Sequence, residues 1–460
     1  MKTILKSMWK NAFATLGLVL CSFSCFALPL AGLQNAHDPG TITKDGDTYF
    51  NFTTGEGIWY STSKDLVTWT GGPAPVFATP PAWVNNKIPN FGGSYWAPDV
   101  IRMNGYYYLY YSVSSWGSST SAIGVARSAS LKTPSWTDLG IVVESFGGSS
   151  EINAIDPALF RDQNGKVYMS YGSFFGGIGV AEINQATGKL AGSVTTIASG
   201  ANGYEAPYIT RNGDYYYLFV NRGNCCQGAN STYYVQVMRS TSVTGPYSGT
   251  YTILPNVDGK YKGPGHVGVL KENGCNYVST HYYDLNDGGN AKLDILKMTY
   301  SGGWPSLTRN FSIASCGGIS DGLYSLQSRL SGKSLAVAAA STGNGAMVQQ
   351  QGYSGAKNQQ WYVIGHGNSY YSVINANSLL SLDNYNNSTT AGTNVAQWAY
   401  WGGNGQKWSV ASPATGYFTL RNLLSNMVVD VSGGSTAENA QIVQWPVNNG
   451  TNQQWSFVRR

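Results

Sequence analysis

The sequence predicts an all-β protein that joins two repeat architectures, a five-bladed β-propeller followed by a β-trefoil. Three observations lead to this prediction. A β-hairpin signal, two β-prone runs joined by a turn with glycine, recurs five times in the N-terminal part. A different unit recurs three times in the C-terminal part. Neither part contains a run with the apolar spacing of an amphipathic helix.

Residues 1–27 have the pattern of a secretory signal peptide. Three lysines precede a mostly apolar stretch, residues 12–20, and small residues lead to a cleavage site after Ala27. The apolar stretch is too short to cross a bilayer as a helix, which argues against a membrane anchor. We therefore expect a secreted, extracellular protein.

The composition argues against strongly charged partners. Only 11% of the residues are charged, and the formal charge of +5 falls to +2 when the three lysines of the signal peptide are removed. A near-neutral protein is a poor ligand for nucleic acid or for a membrane surface. We expect a monomer that binds neither.

The predicted propeller spans residues 33–310, and five turn glycines mark its blades. By subtraction these glycines are 59, 60, 48 and 61 residues apart; they are Gly46, Gly105, Gly165, Gly213 and Gly274. Self-similarity at this length, with several strands in each unit, is typical of propeller blades.

One polar residue precedes each turn glycine at a nearly constant offset of 8, 6, 9, 8 and 8 residues. Because every blade of a propeller starts beside the central channel, we predict that these side chains converge on one axial pocket: Asp38, Asp99, Asp156, Glu205 and His266. Taken singly, an aspartate beside a proline is typical of a turn, and Asp99 fits that alternative. The shared offset favours a pocket position for Asp38, Asp156 and Glu205.

A short Ser/Gly-rich linker, residues 311–321, precedes the predicted trefoil, residues 322–460. Three tryptophans that each end a Gln-x-Trp triplet are 47 residues apart; they are Trp361, Trp408 and Trp455. Three equal units of this length indicate a trefoil, in which each third places the same large side chain in a shared core.

The trefoil part resembles the ricin-type lectins and family 13 carbohydrate-binding modules. The resemblance implies that a third binds sugar through an aspartate, an aromatic side chain and an Asn-Gln pair. The third repeat has the full set, Asp430, Trp445, Asn452 and Gln453. The second has Asp383, Trp398 and Gln406, with Gly405 in place of the asparagine. The first has Ala336 and Gln351, so we expect no sugar site there; a purely structural trefoil is the alternative.

Carboxyl groups from different blades around one pocket suit glycoside hydrolysis, which needs two of them flanking the bond that breaks. Residues 36–305 resemble glycoside hydrolase family 43, on the motifs HDPG, YWAPDV, AIDPALF, YGSFFGGI, YEAPYI, NCCQG and GPGH. The combination of YGSFFGGI with NCCQG is similar to the arabinan endo-1,5-α-L-arabinanases in particular.

This resemblance implies roles for three acids. Asp38 would be the general base that activates water, Glu205 the general acid, and Asp156 the group that raises the pKa of the acid and holds it. The implied reaction is hydrolysis, with inversion, of α-1,5-L-arabinofuranosyl links in arabinan, a plant cell-wall polysaccharide. An exo-acting arabinofuranosidase or β-xylosidase, and a non-catalytic propeller lectin, are the alternatives.

The resemblance also implies one calcium ion near His266. Here HVG follows GPG instead of a more polar continuation, and calcium favours oxygen ligands, so a histidine that only hydrogen-bonds the carboxylates is the alternative. Trp96, Trp116 and Phe174 are candidate sugar platforms, with core packing as the alternative.

Four cysteines follow the signal peptide: Cys225, Cys226, Cys275 and Cys316. Their spacing suggests no zinc site. Because adjacent cysteines rarely bridge each other, we favour a Cys275–Cys316 disulfide.

Overall fold

The structure, a computed structural model, describes residues 30–460 except 90, 149, 314, 315 and 368. The predicted signal peptide lies outside these residues. Five mostly antiparallel sheets come first in the chain, and one twelve-stranded sheet follows them. The five-bladed propeller and the trefoil are therefore confirmed. Within the described part of the chain, no helix is long and apolar enough to cross a membrane.

Each of the five sheets is one blade, and its strands follow one another in the chain with few exceptions. Blade 1 contains β1 (Ala31–Gly32), β2 (Thr43–Asp45), β3 (Thr48–Thr53), β5 (Trp59–Ser63) and β6 (Thr68–Gly71), whereas β4 (Gly55–Glu56) joins the next sheet. The single α-helix of the described residues, α1 (Ala82–Lys87), precedes blade 2, which contains β7 (Ser94–Met103), β8 (Tyr106–Val113), β9 (Thr120–Ser128) and β10 (Thr137–Phe146).

The remaining blades follow the same order. Blade 3 contains β11 (Ala158–Arg161), β12 (Val167–Ser173), β13 (Gly177–Asn184), β14 (Lys189–Leu190) and β15 (Thr195–Ala198). Blade 4 contains β16 (Glu205–Asn212), β17 (Tyr215–Arg222), β18 (Tyr234–Ser240) and β19 (Ser248–Leu254). Blade 5 contains β20 (Val257–Asp258), β21 (Tyr261–Glu272), β22 (Cys275–Asp284), β23 (Asn290–Ser301) and β24 (Trp304–Thr308).

The apolar core of the propeller consists of five wedges, one between each pair of neighbouring blades. The wedge between blades 5 and 1 closes the ring, with Trp69 packed in the same cluster as Leu293. Backbone hydrogen bonds complete the closure, because Ala36 N donates to Ala291 O at 3.3 Å and Leu293 N donates to Gln34 O at 2.7 Å.

The trefoil contains twelve strands. They are β25 (Gly322–Ser328), β26 (Ser334–Val337), β27 (Val348–Gln351), β28 (Trp361–Gly365), β29 (Tyr370–Asn375), β30 (Ser381–Asn384), β31 (Val395–Trp398), β32 (Trp408–Ala414), β33 (Tyr417–Asn422), β34 (Val428–Val431), β35 (Ile442–Trp445) and β36 (Trp455–Arg459). Six of them close a barrel in the order β25, β28, β29, β32, β33 and β36, and the other six form three hairpins.

Two sets of side chains repeat in all three thirds of the trefoil. The triplet tryptophans are fully buried, and each indole donates to the carbonyl 26 residues earlier: Trp361 to Leu335, Trp408 to Leu382 and Trp455 to Val429. Three buried glutamines, Gln350, Gln397 and Gln444, each donate from Nε2 to two carbonyls of another third. We call these glutamines the clasp, because they tie the thirds together.

The trefoil covers the end of the channel toward which the inner strands of the blades run. A cavity of about 190 Å³ lies there, between these strands and trefoil residues such as Tyr362 and Arg459. The Arg161 guanidinium stacks 3.8 Å from the centre of the Tyr362 ring, and a disulfide joins Cys275 of β22 to Cys316 in the connecting segment. The favoured disulfide is therefore present, and the two domains contact each other directly.

Candidate active site

The opposite end of the channel opens into a pocket of about 330 Å³. Its lining includes Asp38, Asp156, Glu205 and His266, each from a different blade. Four of the five side chains that we predicted to converge are thus brought together. The fifth, Asp99, does not line this pocket.

The backbone at the start of the inner strands explains this arrangement. One residue there has a positive φ in every blade: Asp38 (44°), Ala97 (44°), Asp156 (57°), Ala206 (49°) and His266 (56°). Positive φ is uncommon for residues other than glycine, and it interrupts the regular ladder. Blades 2, 4 and 5 accordingly show a register shift at this point. This positive-φ residue is the true equivalent position of the five blades.

Asp99 was wrongly predicted to reach the pocket or to lie in a turn. It lies within β7, two residues after the equivalent position, and is 2% exposed. Its carboxylate accepts hydrogen bonds from the backbone N–H groups of Thr41 (2.8 Å), Val100 (3.0 Å) and Leu159 (2.6 Å). Asp99 therefore ties three blades together below the pocket, and burial raises its pKa to about 6.

Asp38 is held as an ionised carboxylate by hydrogen bonds and nearby histidines. Its Oδ2 accepts from the Thr54 hydroxyl at 2.7 Å and lies 2.8 Å from His37 Nδ1. Its backbone N–H donates to His281 Nδ1 at 3.1 Å. Burial raises the pKa of Asp38, but the neighbouring His37, which also hydrogen-bonds to the carboxylate, together with His281 and His266, outweighs burial and holds that pKa below its usual range. Asp38 is therefore ionised, which is the form that can accept a proton.

Glu205 and Asp156 differ from Asp38 in the direction of their pKa shifts. Burial raises the pKa of Glu205 to about 7, although a hydrogen bond from Tyr233 opposes the shift, and the charge of Asp38 adds to it. Burial and the charges of Glu205 and Asp38 raise the pKa of Asp156 well above its usual value. Asp156 Oδ2 also accepts from Ala206 N at 3.2 Å, which holds the strand that carries Glu205.

Two glycines make the close packing of the pocket possible. A Cβ at Gly40, in the motif HDPG, would lie 2.2 Å from Pro98 O. A Cβ at Gly265, next to His266, would lie 2.5 Å from the Tyr233 ring, which hydrogen-bonds to Glu205. Any larger residue at either glycine would therefore collide with groups that pack beside the acids.

His266 lines the same pocket as the three acids. It is 2% exposed, and burial lowers its pKa. Among the described residues, the only group of three or more His, Cys, Asp and Glu side chains with metal-ligand spacing is His37, Cys225 and His281. Cys225 belongs to a disulfide, and calcium prefers oxygen. Calcium near His266 stays a prediction.

The three predicted platforms all line the pocket. Trp96 and Trp116 pack edge to face with their centres 6.1 Å apart. Trp116 is 77% exposed and Phe174 is 51% exposed, so neither is a core residue. A disulfide between the adjacent Cys225 and Cys226 forms another part of the lining, which corrects our expectation that these two cysteines would not bridge each other.

The second and third repeats of the trefoil place their predicted sugar residues together. Gln453 Nε2 donates to Asp430 Oδ2 at 2.8 Å, Asn452 also hydrogen-bonds to this aspartate, and Trp445 is 43% exposed.

In the second repeat, Gln406 hydrogen-bonds to Asp383, and Trp398 is 39% exposed. The Trp401 indole donates to Asp383 Oδ2 at 3.3 Å, a partner that we did not predict. In the first repeat Ala336 is buried, and Gln351 donates to Asn439.

Several residues were missed from the sequence: His37, Thr54 and Tyr233, which line the pocket, and His281 and Tyr283, which pack against His37. The chain contains only four histidines, and three of them, at positions 37, 266 and 281, meet around Asp38. Their scarcity was a signal that could have drawn attention to His37 and His281. Nothing in the sequence distinguished Tyr233 and Tyr283 among 32 tyrosines.

Residues 32–305 match the family described as Glycosyl hydrolases family 43. The chain belongs to this family. As a family 43 glycoside hydrolase it carries a second module, since residues 309–398 and 404–460 match the ricin-type beta-trefoil lectin domain-like family.

The family 43 domain is similar to enzymes of both modes of action. An extracellular endo-α-(1→5)-L-arabinanase of Bacillus subtilis is 39% identical over 65% of this chain and 99% of its own length. An extracellular exo-α-(1→5)-L-arabinofuranosidase of Cellvibrio japonicus is 38% identical over 66% of this chain and 94% of its own length. The solved family 43 endo-arabinanase from Bacillus licheniformis superposes with a TM-score of 0.57, at 40% identity, over 60% of this chain and 99% of its own.

Proposed function

We propose that this family 43 hydrolase cleaves α-1,5-L-arabinofuranosyl links in arabinan with inversion at the anomeric carbon. The proposal rests on the opposite directions in which the pKa values of the three pocket acids are shifted. Asp38 has a lowered pKa, whereas Asp156 and Glu205 have raised ones. One ionised and one protonated carboxyl are what acid–base hydrolysis of a glycoside requires.

In the proposed reaction Glu205 donates its proton to the glycosidic oxygen while the bond from that oxygen to the anomeric carbon breaks. Asp38 accepts a proton from a water molecule, whose oxygen attacks the anomeric carbon from the opposite face. The sugar leaves with inverted configuration. Asp156 is a positioning residue, because its carboxylate accepts from the N–H of Ala206, the residue that follows Glu205.

Endo action is supported by the rim of the pocket. Trp116 exposes most of its surface and Phe174 about half, and both lie in the pocket with the acids. Their rings can therefore stack on further sugar units of a long chain. The identities to endo- and exo-acting relatives, 39% and 38%, do not discriminate between the modes. Product analysis discriminates: mixed oligomers mean endo action, and release of one small product from the chain end means exo action.

The test compares reducing-sugar release from debranched arabinan, linear xylan and galactan. We expect arabinan to be hydrolysed and the other two to be left intact. Proton NMR of the first product should show the anomer opposite to that of the substrate. Activity on xylan alone, or retention of configuration, would overturn the proposal. Asp38→Asn serves as the inactive reference.

We further propose that the trefoil binds cell-wall polysaccharide through its second and third repeats, and that the protein is secreted as a monomer. Both relatives above are named as extracellular, and two disulfides suit an oxidising compartment. Mass spectrometry of the secreted protein should give an N-terminus at Leu28. Light scattering should give the mass of one chain.

A further inference from the structure

The disulfide between Cys225 and Cys226 is connected to Asp38 by a chain of three short contacts. Cys226 N donates to the Tyr283 hydroxyl at 2.9 Å. The same hydroxyl lies 2.8 Å from His37 Nε2, and His37 Nδ1 lies 2.8 Å from Asp38 Oδ2. We call these residues the support chain. Tyr283 is 3% exposed, His37, Asp38 and Cys225 are partly buried, and Cys226 is exposed at the rim of the pocket.

The hydrogen-bond chemistry gives the support chain a direction. The Tyr283 oxygen accepts from the Cys226 backbone, so its own proton is available to His37 Nε2. A carboxylate can only accept, so the proton between His37 and Asp38 belongs to Nδ1. The orientation of the His37 ring therefore depends on Tyr283, and that of Tyr283 depends on the backbone of Cys226.

The disulfide restricts that backbone. A bond between adjacent cysteines closes a small ring that includes the peptide between them, so the Cys226 N–H cannot turn away freely. Cys225 Sγ also lies 3.6 Å from the Tyr283 hydroxyl. The loop is also held internally, because Gln227 N donates to Ser231 Oγ at 2.9 Å and Asn224 N donates to Thr232 Oγ1 at 2.9 Å. None of these residues touches the acids directly.

We propose that Tyr283 and the Cys225–Cys226 disulfide are positioning residues for the general base, acting on Asp38 through His37. The proposal rests on the proposed function, in which Asp38 is that base. His37 in turn stacks on His281, with ring centres 4.4 Å apart, so the support chain and His281 hold the imidazole from two sides. Loss of the Tyr283 hydroxyl leaves only one of these restraints.

The test is a cycle of three variants: Tyr283→Phe, the double variant Cys225→Ser/Cys226→Ser, and their combination. Tyr283→Phe should lower kcat on arabinan about tenfold with little change in KM, the loss expected from one hydrogen bond to a functional group. The acid limb of the kcat/KM profile should move to higher pH, because a displaced His37 no longer favours the ionised form of Asp38. The titratable groups that face Asp38 are His37, His266, His281, Asp156, Glu205, Tyr233 and Tyr283, and all except Tyr283 remain in every variant.

The double cysteine variant should shift the same limb in the same direction, by less than Tyr283→Phe. The combined variant should behave like Tyr283→Phe alone, because the disulfide acts through that hydroxyl. The matched control is Cys275→Ser/Cys316→Ser, which removes the disulfide at the other end of the channel. It should lower thermal stability and leave the acid limb in place.

Two outcomes would overturn this inference. One is an unchanged kcat and acid limb in both Tyr283→Phe and the double cysteine variant, with Asp38→Asn inactive; the proposed function would then stand without the support chain. The other is an additive loss in the combined variant, which would mean that the disulfide acts by a separate route. If Asp38→Asn itself kept wild-type activity, the proposed function would fail instead.

Discussion

The two domains use their repeats in opposite ways. In the trefoil, equivalent positions of the three thirds have the same structural role: the tryptophans fill the shared core, and the clasp glutamines join the thirds. In the propeller, equivalent positions of the five blades carry different chemistry: two aspartates, a histidine and two alanines. Repetition in the trefoil serves packing, whereas repetition in the propeller delivers unlike groups to one pocket. The same substitution should therefore have similar effects at equivalent positions of the trefoil thirds, and different effects at equivalent positions of the blades.

The largest effect should come from Glu205→Gln, which keeps the shape of the side chain and removes its proton. We expect kcat on arabinan to fall by about 10²–10⁴-fold, the usual contribution of a general acid. An aryl arabinofuranoside with an acidic phenol should be affected far less, because its leaving group needs no proton. The control, Glu182→Gln, changes a partly exposed acid of blade 3 that pairs with Lys166. An equal loss on both substrates would contradict the role of Glu205 as proton donor.

The clasp tests how closely the thirds of the trefoil match in stability, because its glutamines do not all have the same hydrogen-bond partners. Gln397→Ala leaves the carbonyls of Ser341 and Gly343 without their donor, and should lower the free energy of unfolding by about 1–3 kcal/mol. Gln444→Ala should cost less. Gln397 Oε1 accepts from Ser378 at 2.7 Å, whereas Gln444 Oε1 has no partner within the described part of the chain.

Denaturant unfolding followed by tryptophan fluorescence measures this difference. Both clasp variants should keep the wild-type kcat on a short soluble arabino-oligosaccharide, because the clasp lies in the other domain. A larger loss for Gln444→Ala than for Gln397→Ala would contradict the hydrogen-bond inventory.

The pH profile tests the division of acids in the propeller. Glu205 must be protonated to act, and burial raises its pKa to about 7, so kcat/KM should fall about tenfold per pH unit above that value. Tyr233→Phe removes the hydrogen bond that opposes this rise, so the pKa of Glu205 should rise further and the alkaline limb should move to higher pH. Asp99→Asn is the control, since Asp99 is a buried carboxyl that lies outside the pocket. It should lower the melting temperature and leave the alkaline limb unchanged.

The same contrast explains which features could be predicted from the sequence. The trefoil could be predicted because identical residues recur at a constant spacing of 47 residues. The blades and three of the acids were readable from turn glycines and offsets. Asp99 was misplaced because offset alone does not reveal which residue has the positive φ; that residue is Ala97 in blade 2 and Ala206 in blade 4.

The supporting residues of the pocket could not be predicted, for a physical reason. Tyr233 and Tyr283 come from elsewhere in blades 4 and 5 and meet the acids only through the three-dimensional arrangement of neighbouring strands. The disulfide of adjacent cysteines depends on the loop conformation around Cys226, which has a φ of 67°. Patterns of residue type along the chain contain neither piece of information.

The smallest effect should come from a substitution in one sugar site of the trefoil. The three thirds pack alike, but only two of them are proposed to bind sugar. Trp445→Ala should weaken binding to insoluble polysaccharide about two- to tenfold, the loss expected from one aromatic platform, because the second repeat still binds. Gln351→Ala, at the same position of the first repeat, should leave binding unchanged, since Ala336 supplies no carboxylate there. Sedimentation of the protein with the polysaccharide measures both. If Gln351→Ala weakened binding as much as Trp445→Ala, the first repeat would also bind sugar, and all three thirds would be equivalent in function as well as in packing.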